Sequence, residues 1–270
     1  GTSFGYFIGT PFLRGQTWWK FMPQFTDYCA RCSEFLEAGL PVVDILRVLG
    51  DGLGHKPSEK VPHFGNRFKD DYVNRDVLVN RLSVMDGRLV LPDGMSYSVL
   101  WIPDGTYLET ESRDRITDLE KAGAKVVFGG DPTGGLMPDV ESSDGSLLWY
   151  HRAVDGEDRY FIAAADRPYA GCVRFRGREV ALALEQGESR FVVFTPKGLV
   201  KQTDPVSGKD PLPLIGKTLS LCDFKPGDIR VGFTVSARKD MKAVLDLGRV
   251  EQCAEVTVNG KFAGMLWCAP

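Results

Sequence analysis

The sequence lacks three features that would narrow its class at once: an excess of basic charge, a long apolar run and a dense set of cysteines. Lysine and arginine number 33 against 36 aspartates and glutamates, a net charge of -3, so nucleic acid is not expected as a partner. A membrane span needs about 18 consecutive apolar residues, and Asp44 and Arg47 interrupt the run at 42–49. The sequence therefore predicts no transmembrane helix.

Cysteine is scarce, with 6 in 270 residues, which is too few for a disulfide-built fold. Cys29 and Cys32 form a CxxC, but they lie at helical spacing without a second pair or a nearby histidine. Two interpretations stay open: thiols buried on a helix face, which the pattern favours, and a metal or redox site. The residues given do not indicate a cellular compartment, so no localisation is assigned.

The first 28 residues are rich in aromatic side chains and are broken by glycine and proline, so they predict a loop. Large apolar patches are rarely left exposed on a soluble protein, so this segment needs a cover. One interpretation is packing against a neighbouring domain. The other is a sugar-binding platform at Trp18 and Trp19, with Arg14 donating to hydroxyls. From Phe25 the apolar spacing becomes helical, and Gly39 ends the helix.

A buried strand at 97–102 is the centre of the predicted α/β region, because it is apolar throughout except at Ser98 and Pro-Asp-Gly turns flank it. A helix is predicted over 111–122, with Thr110 as its N-cap and a glycine after its end, and a strand follows at 125–128. Strand, helix and strand in this order form a βαβ unit, which requires a parallel sheet. The apolar run at 41–49 is expected to be the first strand of that sheet.

A long loop is predicted at 51–72, at the carboxyl end of that first strand, where α/β folds bind ligands. Its glycines suggest a dinucleotide fingerprint, but prolines follow where a helix would have to begin, so nucleotide binding is not favoured. His55 and His63 have no carboxylate at ligand spacing and are expected to be solvated. Asn74 then caps a short helix, and an Asp-Gly turn at 86–87 predicts a hairpin.

Beyond residue 129 the pattern changes to short strands. A glycine-rich linker at 129–145 suggests a domain boundary, and turns then recur about every 8–12 residues, as in an antiparallel sandwich. A second β module follows a proline-rich break at 204–213 and includes an Asn-Gly hairpin turn at 259–260. Because the last sheet would expose an apolar edge, we expect the sequence to be a piece of a longer chain.

Several motifs together carry a resemblance to a known family. The most specific is DGRLVLPDGM at 86–95. The others are GTSF at 1–4, QTWW at 16–19, DYCARC at 27–32, LEKAGA at 119–124, WYHR at 149–152, LDLG at 245–248, VTVNGK at 256–261 and GMLW at 264–267. In this combination, which touches nearly the whole chain, the sequence resembles glycoside hydrolase family 106, the α-L-rhamnosidases, in the region that follows the catalytic barrel.

The resemblance implies inverting hydrolysis of a terminal sugar of plant or microbial polysaccharides. One carboxylic acid protonates the leaving oxygen and a second carboxylate, roughly 6.5–9.5 Å away, activates water. A barrel that holds such a pair needs about 250 residues, so the catalytic acid and base are expected outside this sequence and the segment alone is expected to be inactive. No catalytic residue, metal ligand or cofactor is assigned, although the resemblance makes calcium possible in the parent enzyme. That enzyme is expected to be periplasmic or secreted.

The expected fold is multi-domain, α/β plus all-β, with a flavodoxin-like parallel sheet, an antiparallel β-sandwich and a partial galactose-binding-like jelly roll. The expected domains are residues 1–40 as the exit of a (β/α)8-type barrel with the aromatic loop and helix, 41–140 as the flavodoxin-like domain, 145–200 as the small sandwich or meander, and 201–270 as the truncated galactose-binding-like domain.

The expected substrate-binding residues are Arg14, Trp18 and Trp19. The expected partners are a carbohydrate and a catalytic domain that the sequence does not contain. The alternative is a non-catalytic carbohydrate-binding or scaffolding protein. A flavodoxin-like cofactor protein is less favoured, because the loop after Leu49 lacks the helix that a nucleotide phosphate would need.

Overall fold

The computed structural model describes residues 14, 19–52, 64–198, 200–203, 216–218, 244–246 and 254–266. The chain divides into two compact units, Gly1–Ala30 with Lys209–Pro270, and Arg31–Gly208. The domain boundaries expected from the sequence stay a prediction. Trp18, His55, His63 and the strand expected at 229–235 lie outside the described residues.

The described helices and strands give a mostly β fold with several sheets. The helices are α1 (Met22–Glu37), α2 (Arg75–Asn80) and α3 (Thr110–Lys121). The strands are β1 (Leu40–Pro41), β2 (Ile45–Val48), β3 (Asp70–Val73), β4 (Ser83–Met85), β5 (Arg88–Val90), β6 (Ser96–Tyr97), β7 (Val99–Ile102), β8 (Val126–Phe128), β9 (Val140–Glu141), β10 (Leu148–Val154), β11 (Glu157–Ala163), β12 (Tyr169–Phe175), β13 (Arg178–Leu184), β14 (Ser189–Phe194), β15 (Val200–Thr203), β16 (Gly216–Thr218), β17 (Val244–Asp246), β18 (Ala254–Val258) and β19 (Lys261–Leu266). Within the described part of the chain, no helix is long and apolar enough to cross a bilayer.

A parallel sheet with the strand order β3-β2-β7-β8 is the centre of the Arg31–Gly208 unit. All four residues of β2 and of β7 are buried, which agrees with the continuous apolar runs that a two-sided parallel strand needs. Helices α2 and α3 cover one face, where Leu78 and Ile116 pack with Leu100. The βαβ unit predicted from β7, α3 and β8 is confirmed.

The prediction of continuous strands at 41–49 and 97–102 is wrong. Each of these segments is divided at a polar residue into two short strands that belong to different sheets. In the 41–49 run, β1 pairs antiparallel with β10 and β2 pairs parallel with β3 and β7, and Asp44 lies between them. In the 97–102 run, β6 joins the hairpin sheet and β7 the parallel sheet, with Ser98 between. The Ser98 hydroxyl donates to the Asp44 carboxylate at 2.8 Å, and the Ser98 amide donates to the Asp44 carbonyl at 2.8 Å.

The predicted loop at 51–72 is also wrong in part, because its last residues form the edge strand β3. The two adjacent aspartates of β3 hid this strand, since aspartate is depleted in strands. Asp70 faces Arg47 of the neighbouring strand, with the carboxylate and guanidinium 2.9 Å apart. An edge strand tolerates charged side chains that a central strand would not.

The predicted helix ends and turns are largely confirmed. The Val77 amide donates to the Asn74 side chain at 3.0 Å, as an N-cap requires. The residue that precedes α3 is Glu109, without a side-chain cap hydrogen bond, so the prediction of Thr110 as the N-cap is wrong by one position. Asp86 and Gly87 have φ values of 53° and 74°, as a type I′ hairpin turn requires.

An antiparallel sandwich follows within the same unit. One sheet has the order β1-β10-β11-β14-β15 and the other the order β13-β12-β9. Alternate side chains of both sheets share one core, which includes Trp149, Tyr160, Phe175 and Phe194, each at most 2% exposed. The predicted antiparallel strands of this region are therefore confirmed.

In the other unit the described strands form two pairs: β16 and β17 are parallel, and β18 and β19 form the predicted hairpin. Asn259 and Gly260 adopt φ values of 50° and 75° at its turn. Helix α1 belongs partly to each unit, because the boundary falls between Ala30 and Arg31. It is amphipathic, yet all its side chains are half-buried or exposed. Cys29 and Cys32 are half-buried, so the prediction of buried thiols is wrong: the helix has a partly covered face rather than a buried one.

Candidate functional site

The expected substrate-binding residues lie just before α1. Arg14 is exposed in a turn, and Trp19 begins a 3-10 turn at Trp19–Phe21 with its side chain half-buried. Trp18 lies outside the described residues. Among those described, no hydrogen bond or ring contact joins Arg14 to Trp19, so their role in binding a sugar stays a prediction.

The 3-10 turn that follows Arg14 contacts the β18–β19 hairpin within their shared unit. The Phe21 ring stacks on the Phe262 ring with centroids 5.9 Å apart and planes 17° apart. The Lys20 ammonium lies 2.7 Å from the Glu255 carboxylate and 4.5 Å from the centre of the Phe21 ring. These contacts place the turn beside the hairpin, although 235 positions separate Lys20 from Glu255.

A charge cluster that is buried at its centre and partly exposed at Asp158 and Arg178 joins the parallel sheet to the sandwich. We call it the junction cluster and define it as Asp44, Asp139, His151, Asp158, Tyr160, Arg176 and Arg178. His151 is its centre: Nδ1 lies 2.9 Å from Asp139 and Nε2 lies 3.1 Å from Asp158. Because a carboxylate oxygen only accepts, two such contacts require both ring nitrogens to donate, which is the imidazolium form.

Two arginines complete the junction cluster. Arg176 donates through Nε to Asp139 at 3.1 Å and through a terminal nitrogen to Asp44 at 2.7 Å. It thereby bridges the turn after β12 to the residue just before β2. Arg178 donates to Asp158 at 2.6 Å. Three carboxylates thus face His151 and two arginines, so the charges balance when His151 is protonated.

The pKa directions agree with a charged, paired cluster. Burial alone raises the pKa of Asp139, but the His151 hydrogen bond and the His151 and Arg176 charges outweigh it, so the net pKa lies below the usual value. The hydrogen bond from His151 is the main reason that the pKa of Asp158 falls to about 2. Burial lowers the pKa of His151, but the hydrogen bonds and charges of Asp139 and Asp158 raise it above the usual value overall.

Tyr160 adds a neutral hydrogen bond and a ring to this cluster. Its hydroxyl donates to Asp139 at 2.9 Å, and its ring stacks on the His151 ring with centroids 3.9 Å apart. Burial raises the pKa of Tyr160, so it stays a neutral donor at ordinary pH. The arrangement holds two parts of the fold together, and it gives no carboxyl that could act as a protonated general acid.

Sequence reasoning did not find the junction cluster. Its members lie in turns and at alternate positions of strands, up to 132 positions apart, as Asp44 and Arg176 are. One signal was present: Asp44 is a single acidic residue inside the apolar run at 41–49. A charge at a buried strand position has to be paired, so it indicates a distant cation without saying which one.

The loop after β2 contacts the loop after β7. The Asp51 amide donates to the Tyr107 carbonyl at 2.9 Å, and the Asp51 carboxylate accepts from the Glu109 amide at 2.7 Å. A side chain at Gly50 would lie 2.8 Å from the Tyr107 carbonyl oxygen. The two loops are thus in direct contact at the carboxyl end of β2. In the described ranges, no group of three histidine, cysteine, aspartate or glutamate side chains could hold a metal ion.

Comparisons with known proteins found one matching family and two similar proteins. The sequence model of glycoside hydrolase family 106, described as alpha-L-rhamnosidase, matches residues 1–135. A putative beta-glucuronidase of Formosa agariphila is 32% identical over 121 residues, which are 44% of this chain and 10% of that protein. A solved rhamnosidase structure from Novosphingobium sp. PP1Y matches 77% of this chain and 27% of its own, with a TM-score of 0.59 and 17% identity.

The matched proteins are much longer than this chain. The chain spans 10% of the length of the curated relative and 27% of the length of the rhamnosidase. The likeness to the rhamnosidase, at 17% identity, shows a shared fold.

Proposed function

Because the family model covers residues 1–135 of the 270, this chain belongs to glycoside hydrolase family 106, the α-L-rhamnosidases, and we propose that it is the accessory region of such a hydrolase. In this proposal the enzyme removes a terminal sugar from a polysaccharide by inverting hydrolysis. The acid and the base lie outside the residues given, and this chain supports the domain that carries them.

The observation that carries this proposal is the state of the buried carboxylates. Inverting hydrolysis needs one protonated carboxyl and one free carboxylate across a water-filled gap. Asp139 and Asp158 of the junction cluster are ion-paired, with pKa values held below the usual range. Burial raises the pKa of Asp70, but the Arg47 guanidinium lies 2.9 Å away and lowers it in part. Asp139 and Asp158 are therefore unsuited to the role of the protonated acid, and the partner of Asp70 is an arginine rather than a second carboxyl.

Within the proposal, Arg14, Trp18 and Trp19 lie at the rim of the sugar site. An indole ring presents a flat apolar face to the C–H face of a sugar ring, and a guanidinium donates to hydroxyls. The support is the position of Trp19 in a turn beside the β18–β19 hairpin, fixed by the Phe21–Phe262 stack. A turn held in this way presents its aromatic side chains at a lower entropic cost than a free segment.

The proposal also assigns a flavodoxin-like class to the parallel sheet and a jelly-roll class to the last β region. The strand order β3-β2-β7-β8 is second, first, third and fourth along the sheet, the order of flavodoxin-like folds. We therefore assign residues 41–140 to that class. The antiparallel β18–β19 hairpin supports a galactose-binding-like jelly roll for residues 201–270.

The test is the kinetics of the parent enzyme with Trp18 or Trp19 replaced by alanine. We expect kcat/KM for an aryl α-L-rhamnoside to fall roughly two- to tenfold, because a contact with an aromatic ring contributes about 0.5–1.5 kcal/mol. Tyr150→Ala is the matched control, since that ring is 60% exposed on β10. Unchanged kinetics for both tryptophan variants would remove these residues from the site. Hydrolysis of an aryl β-glucuronide in place of the rhamnoside would overturn the proposed substrate.

A further inference from the structure

A cleft opens at the carboxyl ends of β7 and β8. Adjacent parallel strands end at the same edge of a sheet, so Ile102 and Phe128 are neighbours there, paired in register. The loop after β7 and one side of α3 complete the walls around a volume of about 390 Å³. This volume falls in the range of small-molecule sites, roughly 300–1,000 Å³, and the carboxyl edge is where open α/β sheets bind ligands.

The cleft has an apolar floor and one exposed ring. Ile102, Leu108 and Ile116 line it and are buried, between 2% and 7% exposed. Phe128 also lines it but is 64% exposed, although it is the last residue of a strand. An exposed phenyl ring at the mouth of a cleft costs hydration free energy in the empty protein, and a ligand with an apolar face would remove that cost.

Polar groups line the same cleft. The Asp104 carboxylate lies against the backbone of Gly129, since a methyl group added to that glycine would be 2.2 Å from Oδ1. Gly129 has a φ of 61° and its amide donates to the Ile102 carbonyl at 2.8 Å, so the position is fixed from both sides. Arg113 and Thr117 add a guanidinium and a hydroxyl from successive turns of α3.

Asp104 and Arg113 have no side-chain hydrogen bond or ion pair with any residue that the structure describes. The Thr117 hydroxyl donates to the Arg113 carbonyl at 3.0 Å and keeps its lone pairs as acceptors. The cleft therefore offers donors, acceptors and one aromatic face that are not used within the described fold.

We propose that this cleft binds a neutral, polyhydroxylated ligand of the size of one sugar ring. The C–H face of the ring packs on Phe128, Asp104 accepts from two hydroxyls, and Arg113 donates to others. Asp104 disfavours a phosphate or a carboxylate by repulsion, which separates this proposal from an anion site. The choice of L-rhamnose as the first probe rests on the proposed function, whereas the ligand class rests on the residues of the cleft.

The test uses the full chain with 13C-labelled isoleucine δ1-methyl groups. Ile102 and Ile116 line the cleft, while Ile45 and Ile162 are fully buried elsewhere and serve as internal references. Titration with L-rhamnose is expected to shift the first two signals and leave the other two unchanged. With about a dozen heavy atoms at roughly 0.3 kcal/mol each, the Kd is expected on the order of millimolar.

Two variants assign the binding to the cleft. Phe128→Ala and Asp104→Asn are each expected to weaken binding roughly three- to tenfold, as the loss of one ring contact or one charged hydrogen bond does. Tyr150→Ala, an exposed ring outside the cleft, is expected to leave the Kd unchanged. Both cleft side chains are exposed, so the variants are expected to fold, which the unchanged reference signals would verify.

Two other outcomes would count against the proposed ligand class, and a third would count against the proposed substrate alone. Inorganic phosphate shifting Ile102 and Ile116 more strongly than L-rhamnose would make the cleft an anion site. An absence of shifts with L-rhamnose, D-galactose and D-glucose would overturn the ligand class. Binding of galactose or glucose but not rhamnose would uphold the cleft and count against the proposed substrate, so the two proposals fail separately.

Discussion

The junction cluster and the contact of the 3-10 turn with the β18–β19 hairpin both join residues far apart in sequence. They differ in how deeply their charged side chains are buried. The junction cluster links Asp44 to Arg176 through side chains that are 7% and 28% exposed, with His151 and Asp139 almost fully buried. The contact of the 3-10 turn with the β18–β19 hairpin uses Lys20 and Glu255, whose side chains are 63% and 42% exposed.

The difference indicates a division of roles. A buried charge cluster tolerates no partial disassembly, because each missing partner leaves an unpaired charge away from water. It therefore fixes the parallel sheet and the sandwich as one frame. An exposed ion pair contributes little to stability. The turn that we propose to lie beside a sugar therefore depends mainly on the Phe21–Phe262 ring stack for its position.

The largest expected effect is at the junction cluster. Asp139→Ala removes the partner of His151, Tyr160 and Arg176 together. We expect the free energy of unfolding to fall by about 3–5 kcal/mol, because buried cations lose their counter-charge. Urea denaturation measures it, with Asp144→Ala as the control, since that carboxylate pairs with Arg167 at the surface. A loss below about 1 kcal/mol for Asp139→Ala would show that charges do not hold the junction together.

The apolar core gives the reference against which the junction is judged. Leu100 is fully buried on β7 and packs with residues of α2 and α3. Leu100→Ala is expected to cost about 3 kcal/mol, from lost burial and the cavity left behind. Denaturation under the same conditions tests this, and Met85→Ala, 62% exposed in the hairpin, is the control with little expected effect. If Leu100→Ala were as mild as Met85→Ala, the sheet could not be the centre of the unit.

The junction is also expected to respond to pH. The folded pKa of His151 is raised above its usual value of 6.5, so its contribution to stability is complete below that pH and is lost as pH rises through the raised value. The free energy of unfolding should therefore decline with rising pH by at most about 1.4 kcal/mol per unit in that window. Asp158 acts oppositely, and its contribution is lost only as pH falls toward about 2.

His151→Gln is the variant that isolates this effect. Glutamine retains a donor but cannot ionise, so the decline above pH 6.5 should disappear even if the variant is less stable at every pH. Unfolding curves between neutral and mildly alkaline pH give the slope for both proteins. An identical slope in the variant would mean that another group titrates.

The smallest effect is expected at the exposed contact. Lys20→Ala and Glu255→Ala should each change the free energy of unfolding by less than about 1 kcal/mol, and by less still at high salt, because both side chains are exposed. A double-mutant cycle gives their coupling, and the same cycle on Asp44 and Arg176 supplies the comparison. The contrast between the two regions fails if the Lys20–Glu255 coupling equals or exceeds the buried one.

The sequence indicated most local structure because local structure has local causes. The Asp86-Gly87 turn, the Asn74 cap and the alternating strands of the sandwich each follow from residues within a few positions. The division of two strands at Asp44 and Ser98 did not follow, because it depends on a hydrogen bond between residues 54 positions apart. Strand β3 was missed because its aspartates are stabilised by neighbouring strands rather than by its own pattern.

The candidate sites also differ in whether the sequence alone could indicate them. Aromatic composition was enough to single out Trp19, since a cluster of rings near the start of a sequence is visible without a fold. Neither the junction cluster nor the cleft beside Phe128 could be found, because each gathers side chains from several elements. Phe128 itself looked like an ordinary apolar strand residue, and only its 64% exposure distinguishes it.

The most direct test of the proposed function is the activity of the 270-residue chain by itself. Purified chain, shown to be folded by its cooperative unfolding, is incubated with an aryl α-L-rhamnoside, in parallel with a polypeptide in which a catalytic barrel precedes it. The account predicts no hydrolysis above the blank for the chain alone and release of rhamnose by the longer polypeptide. Hydrolysis by the chain alone would contradict it, because the acid and the base would then lie among these residues.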